Sequence, residues 1–270
     1  MWLISKSNQE QLSANGFILL NEVIELSILK DTKIKLNNIY NALEKNKKNK
    51  YADNVGVGEK LINNIFIKDK FFYYYINMPI ILQHIDYLLK NGSYLNNEPY
   101  YLSQMAARDP ELNFPKQQLH MDSRFPGPAF ALSAVVIFMI DDFDEYVGCT
   151  RIVPKSHCIP NYPENNHTYP NEIHIKGKAG SVLIFNASLW HGGGLKLLNL
   201  ERWSIICTYS RWFVRPIFDF TKMLTPNEAL QIPSDIFKLL GFQFSSPHNE
   251  YDRIKGICDY EKLINDLSIE

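Results

Sequence analysis

The sequence predicts a mainly β protein with flanking helices and a double-stranded β-helix, or jelly-roll, core. Three observations lead there. Helical patterns fill residues ~1–95, short β-branched and aromatic runs separated by turn residues fill ~96–215, and helical signals return over ~216–270. Strands gathered mid-chain, with helices at both ends, favour an antiparallel two-sheet barrel over alternating β and α units. The second observation is the run from Ala131 to Ile140, whose β-branched and aromatic residues read as a fully buried strand. The third is a His-x-Asp pair at His120 and Asp122 with His191 far downstream, three polar groups that a closed barrel can bring together.

Taken in order, residues 7–15 read as a short helix stopped by Asn15-Gly16, and Phe17–Leu20 as a short buried strand. Between Ser27 and Lys45, Ile28, Leu36, Ile39, Tyr40 and Leu43 fall on one helical face. The Glu44–Lys50 run reads as a solvated helix end. Phe71–Leu89 is rich in aromatic and aliphatic residues and predicts helix packed on the sheet, with Pro79 near a helix start. Strands are expected over Tyr100–Ala107, Lys116–Asp122, Ala131–Ile140, Thr150–Pro154, Ser181–Phe185 and Trp203–Tyr209. Asp141–Glu145 reads as an exposed acidic turn and Asn161–Asn171 as a polar loop. Thr225-Pro226 opens a final short helical stretch that ends at Gly241. No internal repeat or linker interrupts the 270 residues, which predict one domain.

Composition narrows the function classes. Apolar content of 46% with 13% aromatics supports a sizeable core. A net charge of −1 gives no case for nucleic acid or for an anionic membrane surface. Cys149, Cys158, Cys207 and Cys258 show no zinc-type spacing and read as reduced thiols of a cytoplasmic protein. No signal peptide or membrane span is expected, because the apolar runs are shorter than the ~18 residues a span requires.

On a strand, His120 and Asp122 would point to the same side. With His191 they make a 2-His-1-carboxylate set, which leaves open positions and suits non-haem Fe(II) and O2 chemistry. If His191 and Arg202 flank a hairpin centred on Lys196-Leu197, the guanidinium projects beside the metal ligand. A planar cation there grips a carboxylate with two hydrogen bonds.

These motifs are similar to those of the phytanoyl-CoA dioxygenase-like family of Fe(II)- and 2-oxoglutarate-dependent oxygenases. The resemblance rests on Asn15–Leu20, on Gln-x-Leu-His-x-Asp at 117–122, on Gly148–His157, on His191 with Arg202, and on Leu240-Gly241-Phe242. It implies a cupin-like core, with iron held by His120, Asp122 and His191. It further implies 2-oxoglutarate gripped by Arg202 with help from Gln117 and Thr150. Gln104, read from its strand as facing the interior, is a candidate contact to cosubstrate or substrate. The implied activity is oxidation of an unactivated C–H bond of a small molecule, in secondary or specialised metabolism, with release of succinate and CO2. Asp122 argues for hydroxylation or another oxidation, because iron halogenases of related families lack that carboxylate. The chain departs from the family pattern in two places. Lys155 replaces the glycine of the usual Pro-Gly-Ser-His, and Gly193 stands where some members have a serine.

Other readings share the same residues. They include a silent metal- and 2-oxoglutarate-binding protein, an acyl-CoA hydroxylase, and a zinc hydrolase or cupin-like isomerase. The sequence shows no obvious basic cluster for CoA phosphates, which favours a free small molecule. The oligomeric expectation is a monomer or homodimer. His84 and His157 are expected to be structural, His167, His174 and His248 to lie in loops, Arg124 to meet solvent and Phe138 to pack in the core.

Overall fold

A computed structural model describes residues 4–45, 55–56, 58–91, 99–127 and 130–242. The last part of the expected tail, 243–270, lies outside the described residues, as do His248 and Cys258.

Helix α1 (Lys6–Asn15) starts on the Ser5 side chain, which accepts from the Asn8 N–H, and stops at Gly16, whose φ of 83° ends the helix in the left-handed region. Strand β1 (Phe17–Leu20) follows directly. Helix α2 (Leu26–Lys45) buries Leu29, Thr32 and Leu36, while Ile28, Ile39, Tyr40 and Leu43 pack more loosely against the core. The expected helix over 71–89 is broken. A 3-10 turn at Lys70–Phe72 and a helical turn at Tyr73–Ile76 precede α3 (Pro79–Lys90). Pro79 disfavours helix at the residue before it, and Met78 is extended.

Strands β2 (Val55–Gly56), β3 (Glu59–Asn63), β4 (Tyr100–Pro110), β5 (Ser133–Met139), β6 (Thr150–Ile152), β7 (Ile173–His174), β8 (Val182–Asn186), β9 (His191–Gly193) and β10 (Ser204–Arg211) make two sheets. The larger runs β1-β8-β5-β10-β4-β3-β2 and the smaller β7-β6-β9, and every pairing is antiparallel. β2 and β3 were not legible, since Glu59-Lys60-Leu61-Ile62-Asn63 carries no clear alternation.

Period-two alternation divides the large sheet into two faces. Ala134, Val136 and Phe138 of β5 join Val182 and Ile184 of β8 and Ile205, Cys207 and Tyr209 of β10 against the helices. The intervening Val135, Ile137, Met139, Leu183 and Phe185 turn inward and meet Cys149, Ile152 and Ile175 from the side of the small sheet. Phe138 packs edge-on against Tyr75 with ring centres 5.0 Å apart, so it belongs to the helix-side core. On β10 the inward positions are Ser204, Ile206, Thr208 and Ser210. Ile206 of that mostly polar row packs on the inward cluster, and the whole row lines a cavity.

The C-terminal part forms short helices at Pro226–Ala229 and Ser234–Leu239, separated by Pro233, where a single stretch was expected. Thr225 accepts from the Glu228 N–H while Glu228 accepts from the Thr225 N–H, which closes a capping box. Cys149, Cys158 and Cys207 are free thiols. No described helix is long and apolar enough to cross a membrane.

Candidate active site

The expected strand over 116–122 is absent as a regular element: only His120 forms a bridge, opposite His191. The segment first follows β9, with Gln117 donating to the Gly193 carbonyl (3.0 Å) and His120 donating to and accepting from His191 (2.8 Å each). It then turns away, because the Ser123 N–H bonds Ala187 beyond the end of β8. No single ladder can serve both partners, so the segment stays irregular.

This path brings His120, Asp122 and His191 together, one donor atom of each lying within 4.8 Å of the others. The Asp122 carboxylate faces both rings, Oδ1 at 3.8 Å from His120 Nε2 and Oδ2 at 3.6 Å from His191 Nε2. Each ring turns its other nitrogen to a backbone carbonyl, His120 Nδ1 to Gln118 (3.1 Å) and His191 Nδ1 to Leu189 (2.9 Å). A carbonyl can only accept, so the proton sits on Nδ1 and the Nε2 lone pairs point at the common space. Burial lowers the pKa of His191, opposed by Asp122 and reinforced by His120, which keeps the imidazole neutral and able to ligate. Phe185 packs on the His191 ring at 4.8 Å and holds its plane. The donor set and its tautomers fit a divalent iron with open positions.

The three groups sit in a cavity of about 1090 Å³ that Gln104, Gln117, Thr150 and Arg202 also line. Gln117 is anchored by its own side chain, since Oε1 accepts from the Gly193 N–H at 2.8 Å. A Cβ on residue 193 would meet that same oxygen at 3.2 Å, so glycine here suits the glutamine that stands over it. Thr150 is buried, and its backbone is paired with Gly193 across β6 and β9.

Arg202 is 7% exposed. Its guanidinium lies over the Phe143 ring, 4.1 Å from the centre, and its Nε has no hydrogen-bond partner among the described residues. Burial lowers its pKa to about 10, so it remains charged at neutral pH. Among the described residues no carboxylate pairs with it, and a buried cation facing a cavity is stabilised by an anion that enters that cavity. The terminal carboxylate of 2-oxoglutarate fits that requirement.

The expected hairpin between His191 and Arg202 does not form. His191 opens β9 of the small sheet, and Arg202 leads into β10 of the large one. Lys196, expected at the turn tip, is buried, its ammonium held by Asp109 Oδ1 (3.0 Å) and the Pro110 carbonyl (2.6 Å). That anchor makes the segment a crossing between sheets. Asp109 also accepts from the Arg202 N–H (2.9 Å), so it sets the start of β10. Asp109 lies beyond the strand expected over Tyr100–Ala107 and Phe143 within the expected exposed acidic turn, yet both are 2% exposed. The one apolar residue inside Asp141–Glu145 was the available signal for Phe143.

His157 is buried against α1, its Nε2 at 3.3 Å from the Ser13 carbonyl, and it does not line the cavity. His84 is buried within α3, bonded to the Ile80 carbonyl. Arg124 is exposed at the cavity's edge.

A family model described as Phytanoyl-CoA dioxygenase (PhyH) matches residues 12–196. The uncharacterized protein Rv1501 of Mycobacterium tuberculosis is 22% identical over 87% of this chain and 85% of its own length. Dioxygenase ALT11 of Alternaria alternata is 29% identical over 49% of this chain and 46% of its own. Among solved structures, HygX from Streptomyces hygroscopicus with nickel and 2-oxoglutarate bound superposes with a TM-score of 0.64 at 13% identity. That match covers 79% of this chain and 89% of HygX, and it shows a shared fold.

Proposed function

The chain belongs to the phytanoyl-CoA dioxygenase family and is an Fe(II)- and 2-oxoglutarate-dependent dioxygenase, and from that premise we propose that it hydroxylates an unactivated C–H bond of a small molecule. His120, Asp122 and His191 hold the iron in this reading. Arg202 grips the far carboxylate of 2-oxoglutarate, with Thr150 and Gln117 beside it and Gln104 facing cosubstrate or substrate. The observation that carries the reading is the pairing of the His-Asp-His group with a buried guanidinium whose Nε has no hydrogen-bond partner among the described residues, both in one cavity. Iron held by these three side chains would, with 2-oxoglutarate and O2, supply the oxidising power, the cosubstrate being converted to succinate and CO2.

The chain's own residues prepare that chemistry. The carbonyls of Gln118 and Leu189 keep the Nδ1 protons in place, so both imidazoles present lone pairs. Phe143 covers the buried Arg202 guanidinium and shields it from water, which strengthens its hold on an anion. The end of the cavity beyond Thr208 is lined by Ser133 and Ser210, which bond each other, together with Leu132, Phe213, Val214 and Ile217. That mixed lining suits a small molecule with both polar and apolar faces. HygX, which shares the fold, takes hygromycin B.

The test is succinate formation by the anaerobically iron-loaded protein on admission of O2 and 2-oxoglutarate, across a panel of such small molecules. Asp122→Ala abolishes iron-dependent turnover if the assignment is right. Turnover retained by that variant rejects the ligand set. Stoichiometric 2-oxoglutarate binding without any turnover supports the silent binding protein instead.

A further inference from the structure

We propose that Arg151, held by Glu172, is the positioning residue of the metal centre, setting the separation between its two ligand-bearing segments. The inference rests on the reading of His120, Asp122 and His191 as ligands.

Arg151 is 1% exposed and lies on β6 next to Thr150, yet it turns away from the cavity. Its guanidinium makes three kinds of contact. Nη1 pairs with the Glu172 carboxylate, Nη2 donates to the Gln117 carbonyl, and Nε donates to the Gly193 carbonyl at 3.3 Å. Gln117 lies just upstream of His120 and Asp122, and Gly193 just downstream of His191. One rigid fork thus ties both ligand-bearing segments to a single point. Only arginine presents several donors in a fixed plane, so lysine cannot hold the same points.

The surroundings are built for this contact. Gly192 lies opposite Arg151 across β6 and β9. A Cβ there would meet Arg151 Nη2 at 3.1 Å and the Gln118 and Gln117 carbonyls at 3.2 and 3.3 Å. The glycine therefore leaves the passage through which the guanidinium reaches Gln117. Glu172, on the loop before β7, also meets Lys116 at 3.3 Å. Burial alone would raise the Glu172 carboxyl, but Arg151 and Lys116 hold it below its ordinary range. It is ionised at neutral pH and keeps the fork oriented. Side chains that orient metal sites from behind typically change metal affinity by about 10–100-fold when lost.

The test is Co(II) titration of the metal-free full chain with 2-oxoglutarate present, followed by visible absorbance, alongside thermal melting without metal. Arg151→Lys and Glu172→Gln are expected to bind Co(II) about 10-fold more weakly and to shift the absorption band. Arg151→Met is expected to be weaker still, and if it fails to fold the two conservative variants carry the result. A lowered melting point with wild-type Co(II) affinity and an unchanged band marks a purely structural ion pair and overturns the proposal. Wild-type Co(II) binding that survives Asp122→Ala removes the ligand reading beneath it, a separate failure visible in the same titration.

Discussion

Along β5, β8 and β10 of the large sheet, alternate side chains enter a helix-side core of Val, Ile, Phe, Cys and Tyr. The small sheet has strands of two or three residues; Ile152 joins it to the inward apolar cluster, and polar contacts tie it to the ligand segments: Arg151 with Glu172, Gln117 with Gly193, and His120 with His191. The first region is stabilised by area removed from water, which is large and indifferent to direction. The second depends on directional bonds, each of which contributes modestly while intact. Stability and chemistry therefore reside largely on two different walls. One is the helix-backed face of the large sheet, which points away from the cavity; the other is the small sheet with the ligand segments beside it. Substitutions on the two are expected to show opposite signatures.

The largest effect on stability is expected at Phe138, fully buried on the helix side against Tyr75. Phe138→Ala should cost about 3–5 kcal/mol in denaturant unfolding. Folded Phe138→Ala protein should still bind Co(II) with the wild-type spectrum. Asp122→Ala is the mirror image: its side chain is 38% exposed, so stability should change by less than about 0.5 kcal/mol while turnover disappears. A Phe138 variant that shifts the cobalt band as far as Arg151→Lys does would break the division between the walls.

Arg202 tests the boundary, since it enters the large sheet but faces the cavity. Arg202→Lys keeps a cation and loses both the planar fork and the stacking on Phe143. KM for 2-oxoglutarate should rise by one to two powers of ten, in line with the ~1.5–3 kcal/mol of hydrogen bonds to a charged group. The metal affinity measured without cosubstrate should stay at the wild-type value. A change in metal affinity instead would place Arg202 with the small sheet's network rather than with the cosubstrate.

The two walls also differed in how they could be read from sequence. Ala131–Ile140 announced β5 because a buried strand needs little more than consecutive apolar side chains, and Asn15-Gly16 marked the end of α1 by its backbone demand. The small sheet gave no such periodicity: Thr150–Ile152 and His191–Gly193 are too short to alternate, and the 116–122 segment is irregular. There the residue types His-x-Asp, His and Arg carried the reading. The hairpin through Lys196 failed because a buried ion pair with Asp109 decides the path, and nothing local in the chain signals a partner that far away. Phe143 and Arg151 were passed over for a similar reason. One lies in an acidic run and the other in a strand where a charged side chain reads as solvated.

The smallest expected effect lies at the junction of the two regions. Lys155 stands in the turn after β6 with φ of 69°, and its N–H bonds the Asn15 carbonyl at the end of α1 (3.0 Å). A non-glycine residue in that left-handed conformation costs roughly 1–2 kcal/mol. The side chain is exposed, so glycine would lose no packing. Against that gain stands the greater freedom of glycine in the unfolded chain, about 0.5–1 kcal/mol. Lys155→Gly should therefore stabilise by about 0.5–1 kcal/mol, which raises Tm by roughly 2 °C in a chain of this size. Lys155→Ala keeps the strain and should show no gain. Equal stabilisation by both would mean that the lysine charge, and not its backbone, is what the turn resists.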